Sequence, residues 1–338
     1  MDQYIGKQSI KFTNPPSILG AGSIVGPKEG KGPLRDYFDQ VLQDDLWGED
    51  TWEKAETKLV KESMKLALKH ANKTIEDIRY IFAGDLLNQL VATTFAIREF
   101  NTPFFGLYGA CSTMGESIQL ASMAISGGFA DYTLAATSSH FCGAEKQFRF
   151  PLEYGSQRPL TATWTVTGSG AVVLGKQGQG PFVTAITTGK IVDLGITDPM
   201  NMGAAMAPAA ADTLVQHFKD LGTSPDDYDL IITGDLGSIG NQLMKELVEK
   251  EGYYLHQGFT DCGIEIFDAN TQDTHAGGSG CGCSAVTLTG YLLQEMKNDK
   301  YKSILFIPTG ALLSTLSTQQ GESIPGIAHA VVIQKYKG

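Results

Sequence analysis

An ordered internal repeat constrains the fold of this 338-residue chain more than any other feature of its sequence. "DIRYIFAGDLLNQL" (77–90) and "DYDLIITGDLGSIGNQL" (227–243) each run from an apolar, strand-like stretch into Gly-Asp-Leu, at Gly84 and Gly234. A second pair, "DYTLAATSS" and "YKSILFIPTGA", follows in the same order, with Leu134 matching Leu305. The spacing is wider in the second pair, which indicates an insertion around "YYLHQGFTDCGIEIFDANTQD". Two matches in one order indicate a duplication.

Each half contains helix, strand, loop, helix and strand, with glycine-rich turns between strand and helix. Helices that alternate with apolar strands are typical of parallel strand pairs with crossover helices. We therefore predict an α/β fold of five layers, α/β/α/β/α, in which two sheets share a middle helical layer. The predicted halves are residues 1–178 and 179–338, divided in the turn "KQGQG", with two antiparallel strands on either side of this turn closing the first half.

Composition and charge exclude several classes of function. With 42% hydrophobic and 19% charged residues, the chain is typical of a globular protein, and it has no apolar run of membrane-spanning length. The net charge of −11 is unsuited to nucleic acid or a polybasic membrane anchor. Five cysteines occur without a signal peptide or zinc-type spacing, so disulfides, a metal and a cofactor are not expected.

Cys111 is the first candidate for chemistry, because it lies where the strand-like "FFGLYGA" gives way to a helix. The apolar residues Met114, Ile118, Ala121 and Ile125 recur in that helix at helical spacing. A thiol at a helix N-terminus lies near unpaired N–H groups, which lower its pKa toward a reactive thiolate and can also hold an oxyanion. The alternative is a small buried cysteine under a tight turn.

His275 is the second candidate, in the glycine-rich turn "DTHAGGSGCGCSA" that opens the matching helix of the second half. By the duplication this turn faces the Cys111 turn across a pseudo-twofold axis. We therefore expect Cys111 and His275 to face one central cavity, although a lone histidine is more often structural.

These motifs carry a resemblance to known proteins. The strand-turn-cysteine-helix, "TVTGSGAVVLG" and "HAGGSGCG" resemble the thiolase and β-ketoacyl synthase fold over essentially the whole chain. "TDPMNMGAAMAPAAADTL" and "DANTQDTHAGGSGCGCSA" resemble the stage V sporulation protein AD family of endospore-forming bacteria. That resemblance implies binding of dipicolinic acid (pyridine-2,6-dicarboxylate) during its uptake into the developing spore. It also implies a peripheral place at the spore inner membrane, other stage V sporulation A-operon membrane proteins as partners, and a homodimer.

The catalytic pattern of the superfamily is only partly present. Cys111 matches the acyl-accepting cysteine and His275 the histidine of the thiolase glycine-rich turn, but Asp235 replaces a catalytic histidine or asparagine. Thiolases have a second cysteine near the C-terminus, where this chain has "GESIPGIAHAVVI" with Ser323 and His329. We therefore expect no enzymatic activity. A β-ketoacyl synthase III-like condensing enzyme with Cys111 as nucleophile is one alternative, and a scaffold with a vestigial pocket is another.

A flat dianion such as dipicolinate requires cations and aromatic walls, and arginine binds a carboxylate bidentately. The loop "SSHFCGAEKQFRFPLEYGSQRP" (138–159) supplies both, and its alternative role is a dimer interface. From this loop, the two turns and the C-terminal stretch, the predicted ligand-binding residues are Cys111, His140, Arg149, His275 and His329, with Arg158 a weaker candidate.

Overall fold

The computed structural model describes residues 3–148, 158–256 and 258–337. Its strands are β1 (Tyr4–Ile5), β2 (Ser9–Lys11), β3 (Ser17–Val25), β4 (Gln40–Val41), β5 (Tyr80–Gly84), β6 (Phe104–Gly106), β7 (Tyr132–Ser139), β8 (Trp164–Thr165), β9 (Gly168–Gly175), β10 (Phe182–Thr187), β11 (Leu230–Gly234), β12 (Phe259–Asp261), β13 (Gly278–Ser279), β14 (Ser303–Ala311), β15 (Gly326–Ala328) and β16 (Ala330–Gln334).

The α-helices lie between these strands. They are α1 (Trp52–His70), α2 (Val91–Ile97), α3 (Thr113–Ser126), α4 (Phe141–Phe148), α5 (Met202–Leu221), α6 (Gly237–Lys250), α7 (Cys262–Glu265), α8 (Cys281–Val286), α9 (Leu293–Lys297) and α10 (Thr315–Gln319). A π-helical stretch, Thr287–Leu292, joins α8 to α9.

Two five-stranded sheets of the same topology form the frame of the molecule. The first has the order β3-β9-β7-β5-β6 and the second the order β10-β16-β14-β11-β12. In each sheet the last three strands are parallel and the first three pair antiparallel. A single residue pair, Phe182 with Ser17, joins the two sheets.

The strand registers confirm the repeat found in the sequence. Ile81 pairs with Leu134 in the first sheet, and Ile231 pairs with Leu305 at the matching place in the second. Both copies of Gly-Asp-Leu follow the second strand from the parallel edge of their sheet. The predicted insertion lies mainly between β12 and α8, where α7 and the loop to β13 have no counterpart in the first half.

Three hydrophobic clusters define the layers. Helices α1 and α2 cover the outer face of the first sheet, and α5 and α6 cover the outer face of the second. The largest cluster lies between the sheets and contains α3 and α8, with the predicted apolar face of α3 (Met114, Ile118, Ala121 and Ile125) fully buried. The five-layer α/β/α/β/α prediction is confirmed.

One strand assignment was wrong. β10 does not close the first half but belongs to the second sheet, where it pairs with β16. β2 also pairs with β10, so the N-terminal residues 9–11 lie on the sheet of the second half. β9 ends at Gly175 and β10 begins at Phe182, and the division at residue 178 stays a prediction.

Candidate functional site

Cys111 lies in a tight turn that its neighbours hold rigidly. Ala110 has a positive φ of 50°, which a non-glycine residue rarely adopts, and a short 3-10 turn then leads into α3. The Ser112 hydroxyl donates to the Gly109 carbonyl (2.7 Å), and the Thr113 hydroxyl donates to the Ala110 carbonyl (2.6 Å). A Cβ at Gly310 in β14 would overlap the Gly109 carbonyl, so a strand of the second half packs its bare backbone against this turn.

The thiol of Cys111 is not activated as predicted. Burial raises its pKa well above the ordinary value, and the carboxyl of Asp235 acts in the same direction. Hydrogen bonds from the backbone of Gly280 and of Cys111 itself act against this but are smaller. The prediction that the helix end lowers the pKa of Cys111 is therefore wrong. The side chain is 6% exposed, and desolvation raises its pKa by more than the helix N-terminus lowers it.

A cavity of about 100 Å³ lies in front of Cys111. Most of its wall is apolar, including Leu86 and Leu313, and the polar side chains on it come from both halves of the chain. They are Tyr108, Cys111, Glu145, Thr163, Thr165 and Ser279. A partly apolar cavity with a few convergent polar groups is typical of a small-molecule site.

The second half supplies the wall opposite Cys111. Gly280, with a φ of +96°, lets the chain turn from β13 into α8, and Thr163 donates a hydrogen bond to Ser279 (2.8 Å). Cys281 is the first residue of α8, a position similar to that of Cys111 just before α3. Its thiol donates to the Ser138 carbonyl at 3.2 Å. Cys281 was not singled out from the sequence, although the repeat itself marks it as the counterpart of Cys111.

His275 does not lie on this cavity, contrary to the prediction of a shared site. Its φ is +54°, and its Nδ1 lies 2.8 Å from the Pro159 carbonyl and its Nε2 2.9 Å from a carboxylate oxygen of Asp273. Both ring nitrogens thus face oxygen acceptors on the outside of the turn. The glycine-rich turn does reach the cavity, but through Ser279 and Gly280.

His140 and His329 are both buried. His140 follows β7, and its Nε2 donates to the Asp45 carbonyl (2.7 Å), while burial lowers its pKa. The Nδ1 of His329 accepts a hydrogen bond from the Gly189 N–H at 3.4 Å, and burial lowers its pKa to about 4. Both rings are therefore neutral at pH 7, and neither is among the residues on the cavity wall.

The predicted cations of the 138–159 loop do not form one cluster among the described residues. Arg149 lies outside the described residues, directly after Phe148, which is on the cavity wall. Lys146 pairs with Glu53 at 2.6 Å, and Arg158 pairs with Asp273 at 3.1 Å. Ser323 donates to Asp193 at 2.5 Å on the surface. The ligand-binding roles of Arg149, His140, His275 and His329 stay predictions.

Buried acids surround the site, and the sequence reasoning missed their number. Asp85 and Asp235, the repeated Gly-Asp-Leu aspartates, are both fully buried. Asp85 accepts hydrogen bonds from Leu87 and Thr93, whereas the carboxyl of Asp235, at a φ of +75°, has the thiol of Cys283 as its hydrogen-bond neighbour. Burial raises the pKa of both, and Asp261 next to Asp235 has a pKa raised to about 7 by the same cause. The repeat was the signal for this acid layer.

Three further features concern metal ligands, membrane-spanning helices and cysteines. No group of three or more histidine, cysteine or acidic residues in the described chain has an arrangement suited to a metal ion. Among residues 3–148, 158–256 and 258–337, no helix has the length and apolar character needed to cross a membrane. All five cysteines are free thiols.

Comparison with known proteins identifies the family. Residues 6–334 match the family described as Stage V sporulation protein AD (SpoVAD). The chain is 46% identical over 333 residues to stage V sporulation protein AD of Bacillus subtilis (strain 168), covering 98% of both proteins. The chain belongs to the stage V sporulation protein AD family. A protein of the SpoVAD family with this degree of identity has a role in sporulation.

Solved structures place this chain in the thiolase-like fold. The 3-oxoacyl-[acyl-carrier-protein] synthase III of Aquifex aeolicus VF5 superposes with a TM-score of 0.57 at 14% identity, covering 94% of this chain and 99% of that one. A variant of OleA from Xanthomonas campestris superposes with a TM-score of 0.60 at 13% identity, covering 96% of this chain and 99% of that one. At this identity the likeness concerns the fold alone.

Proposed function

We propose that this chain is a non-catalytic, dipicolinate-binding component of the apparatus that takes dipicolinic acid into the developing spore. The observation that carries the proposal is the cavity at Cys111, in a chain of the stage V sporulation protein AD family. The cavity lies where the family's thiolase-like fold would bind an acyl group, and the polar groups of this chain suit a carboxylate better than acyl transfer.

Hydrogen-bond donors around the cavity support an anionic ligand. The hydroxyls of Tyr108, Thr163, Thr165 and Ser279 line it, and α3 starts beside it with the first N–H groups of a 14-residue helix. Such N–H groups lie at the positive end of the helix dipole and stabilise an oxyanion. Arg149, next in sequence to Phe148 on the wall, is the proposed cation that binds a ligand carboxylate bidentately.

The state of the candidate catalytic groups argues against turnover. The Cys111 thiol is neutral, since burial raises its pKa, and a thiol is a poor nucleophile until it loses its proton. Burial raises the pKa of Asp235 as well, and His275 bonds to Asp273 away from the cavity. A condensing enzyme remains the second candidate, favoured by one feature: the positive φ of Ala110 presents Cys111 to a cavity.

Titration calorimetry with dipicolinate and with an acyl-coenzyme A on the same preparation distinguishes the two functions. We expect heat from dipicolinate and no condensation product from the acyl thioester. Condensation that is abolished by Cys111→Ala would overturn the non-enzymatic proposal.

Variants of the cavity test where dipicolinate binds. Cys111→Ala leaves the helix N–H groups in place and should weaken binding only modestly. Arg149→Ala should cost about 2 kcal/mol, or roughly thirtyfold in affinity, as expected for a charged hydrogen bond. Thr163→Val is nearly isosteric and should weaken binding, whereas His275→Ala should weaken it less, because the ring does not lie on the cavity wall. Unchanged affinity in all of the cavity variants would place the site elsewhere.

Location and assembly are part of the same proposal. We propose a peripheral association with the spore inner membrane through other stage V sporulation A-operon membrane proteins, and a homodimer. The open edge of the first sheet supports the homodimer, because β6 ends the strand order and Phe105 on it is 50% exposed. An uncovered edge strand is a ready template for pairing with a second chain.

A further inference from the structure

A second group of chemically active residues surrounds Trp164, away from the cavity. One face of the indole is covered by Phe141, whose ring is parallel to it at a centroid distance of 3.7 Å. The amino group of Lys28 lies 3.8 Å from the indole centroid, and the guanidinium carbon of Arg158 lies 4.7 Å from it. Since Phe141 occupies one face, two cations share the other face and its edge.

The hydrogen bonds of Arg158 leave half of its guanidinium unused. One terminal nitrogen, Nη2, donates to the carbonyl and to the carboxylate of Asp273, at 2.9 and 3.1 Å. The other, Nη1, is buried, and no partner for it occurs in the described residues. A buried guanidinium N–H without an acceptor is costly, because it loses hydration and gains nothing in return.

The local charge is positive in a protein of net charge −11. Asp273 is the carboxylate that binds Arg158, and it also lies against His275. Among the described residues, no carboxylate forms an ion pair with Lys28. Burial, followed by the neighbouring charge of Arg158, lowers the pKa of Lys28, and the smaller opposing effects of Asp273 and Glu29 do not reverse this.

We propose that Lys28 and Arg158, placed on the Trp164 ring, form a binding site for a small oxyanion, a carboxylate or a phosphate group. The oxyanion accepts hydrogen bonds from the Lys28 amino group and from Nη1 of Arg158. It relieves the repulsion between the two cations and completes the donors of the guanidinium, whose planar fork matches both kinds of anion.

This oxyanion site is distinct from the cavity at Cys111. Thr163 and Thr165 are on the cavity wall, and Trp164 stands between them on β8. Successive side chains of a strand point to opposite faces, so the indole and its cations lie on the far side of that wall. Binding of an oxyanion at Trp164 therefore does not depend on what the cavity binds.

The competing explanation is structural: the indole merely anchors two cations, each stabilised by the ring. Lys73 provides a matched control for this explanation, because its amino group lies 4.1 Å from the centroid of Tyr132 in the same kind of contact. A structural cation–aromatic contact would contribute to stability in the same way with and without an oxyanion present.

The experiment is titration calorimetry of the full chain with inorganic phosphate and with acetate, exchanged against chloride at constant ionic strength. We expect at least one of the two to bind, and Lys28→Gln and Arg158→Gln each to weaken binding roughly tenfold or more. Lys28→Arg should retain binding and Lys73→Gln should leave it unchanged. Binding of phosphate alone, or of acetate alone, identifies which oxyanion the natural ligand carries.

Thermal unfolding supplies a readout that a purely structural role would not change. The oxyanion that binds should raise the melting temperature of the wild type and of Lys73→Gln, and should raise that of Lys28→Gln much less. Absence of binding by both anions would overturn the proposal, as would equal binding by the wild type and both glutamine variants. If Thr163→Val loses dipicolinate binding and Arg158→Gln keeps it, the cavity at Cys111 and the oxyanion site at Trp164 bind their ligands independently.

Discussion

Replacing Glu29 by glutamine should stabilise the protein at neutral pH and have little effect in acid. The Glu29 side chain is fully buried, and its Oε1 accepts a hydrogen bond from the Thr167 N–H at 3.0 Å. Its Oε2 has no partner within the described chain. Burial raises the pKa of this carboxyl from the ordinary 4.5 to about 8.

The folded state holds the proton of Glu29 more tightly than the unfolded state, and this sets the direction of the pH dependence of stability. Since the folded-state pKa is the higher one, the stabilisation that protonated Glu29 provides is complete below about pH 4.5 and is lost as the pH rises toward 8. At 1.36 kcal/mol for each pH unit, the difference between the two pKa values amounts to roughly 5 kcal/mol, about half of which develops between pH 5 and pH 7. Glutamine is neutral throughout and keeps an oxygen for Thr167.

The assay is urea unfolding of the wild type and Glu29→Gln at pH 5, 6 and 7, with Glu322→Gln as a control at an exposed glutamate. We expect the free energy of unfolding of Glu29→Gln, relative to wild type, to rise by roughly 2.5 kcal/mol from pH 5 to pH 7. The other buried acids cancel in this difference because both proteins contain them. A difference that stays constant with pH would refute the reasoning.

Three further predictions concern the Cys111 turn and the sheet edge. With iodoacetamide at pH 7.5, mass spectrometry should find Cys142 modified well before Cys111, because burial raises the pKa of both thiols but the reagent reaches only the half-buried Cys142; rapid labelling of Cys111 would instead favour the condensing enzyme. Gly310→Ala should destabilise the protein by about 1–3 kcal/mol or more in urea unfolding, because its Cβ would overlap the Gly109 carbonyl, and a value near zero would contradict this packing. Phe105→Glu should convert the proposed homodimer to a monomer in light scattering after size exclusion, and an unchanged mass would show that β6 is not the interface.

Features that depend on short-range pattern were predictable from the sequence. The repeat of Gly-Asp-Leu located the two equivalent strands, and helical spacing located the buried face of α3, because both patterns report local backbone periodicity. The position of Cys111 between a strand and a helix followed from the same local signals. Sequence motifs also identified the family, which the comparison with known proteins confirmed.

The chemistry of the site depended on contacts between distant segments, and only the tertiary structure decided it. The pKa of Cys111 is raised because residues more than a hundred positions away, among them Asp235 and Gly280, enclose the thiol and remove it from water. His275 belongs to the correct turn, but its positive φ and its bond to Asp273 direct the ring outward. Lys28 comes from a stretch of the chain far from Arg158 and Trp164, and no sequence pattern links it to them. Side-chain direction and desolvation are properties of the packed molecule, whereas periodicity belongs to the chain itself.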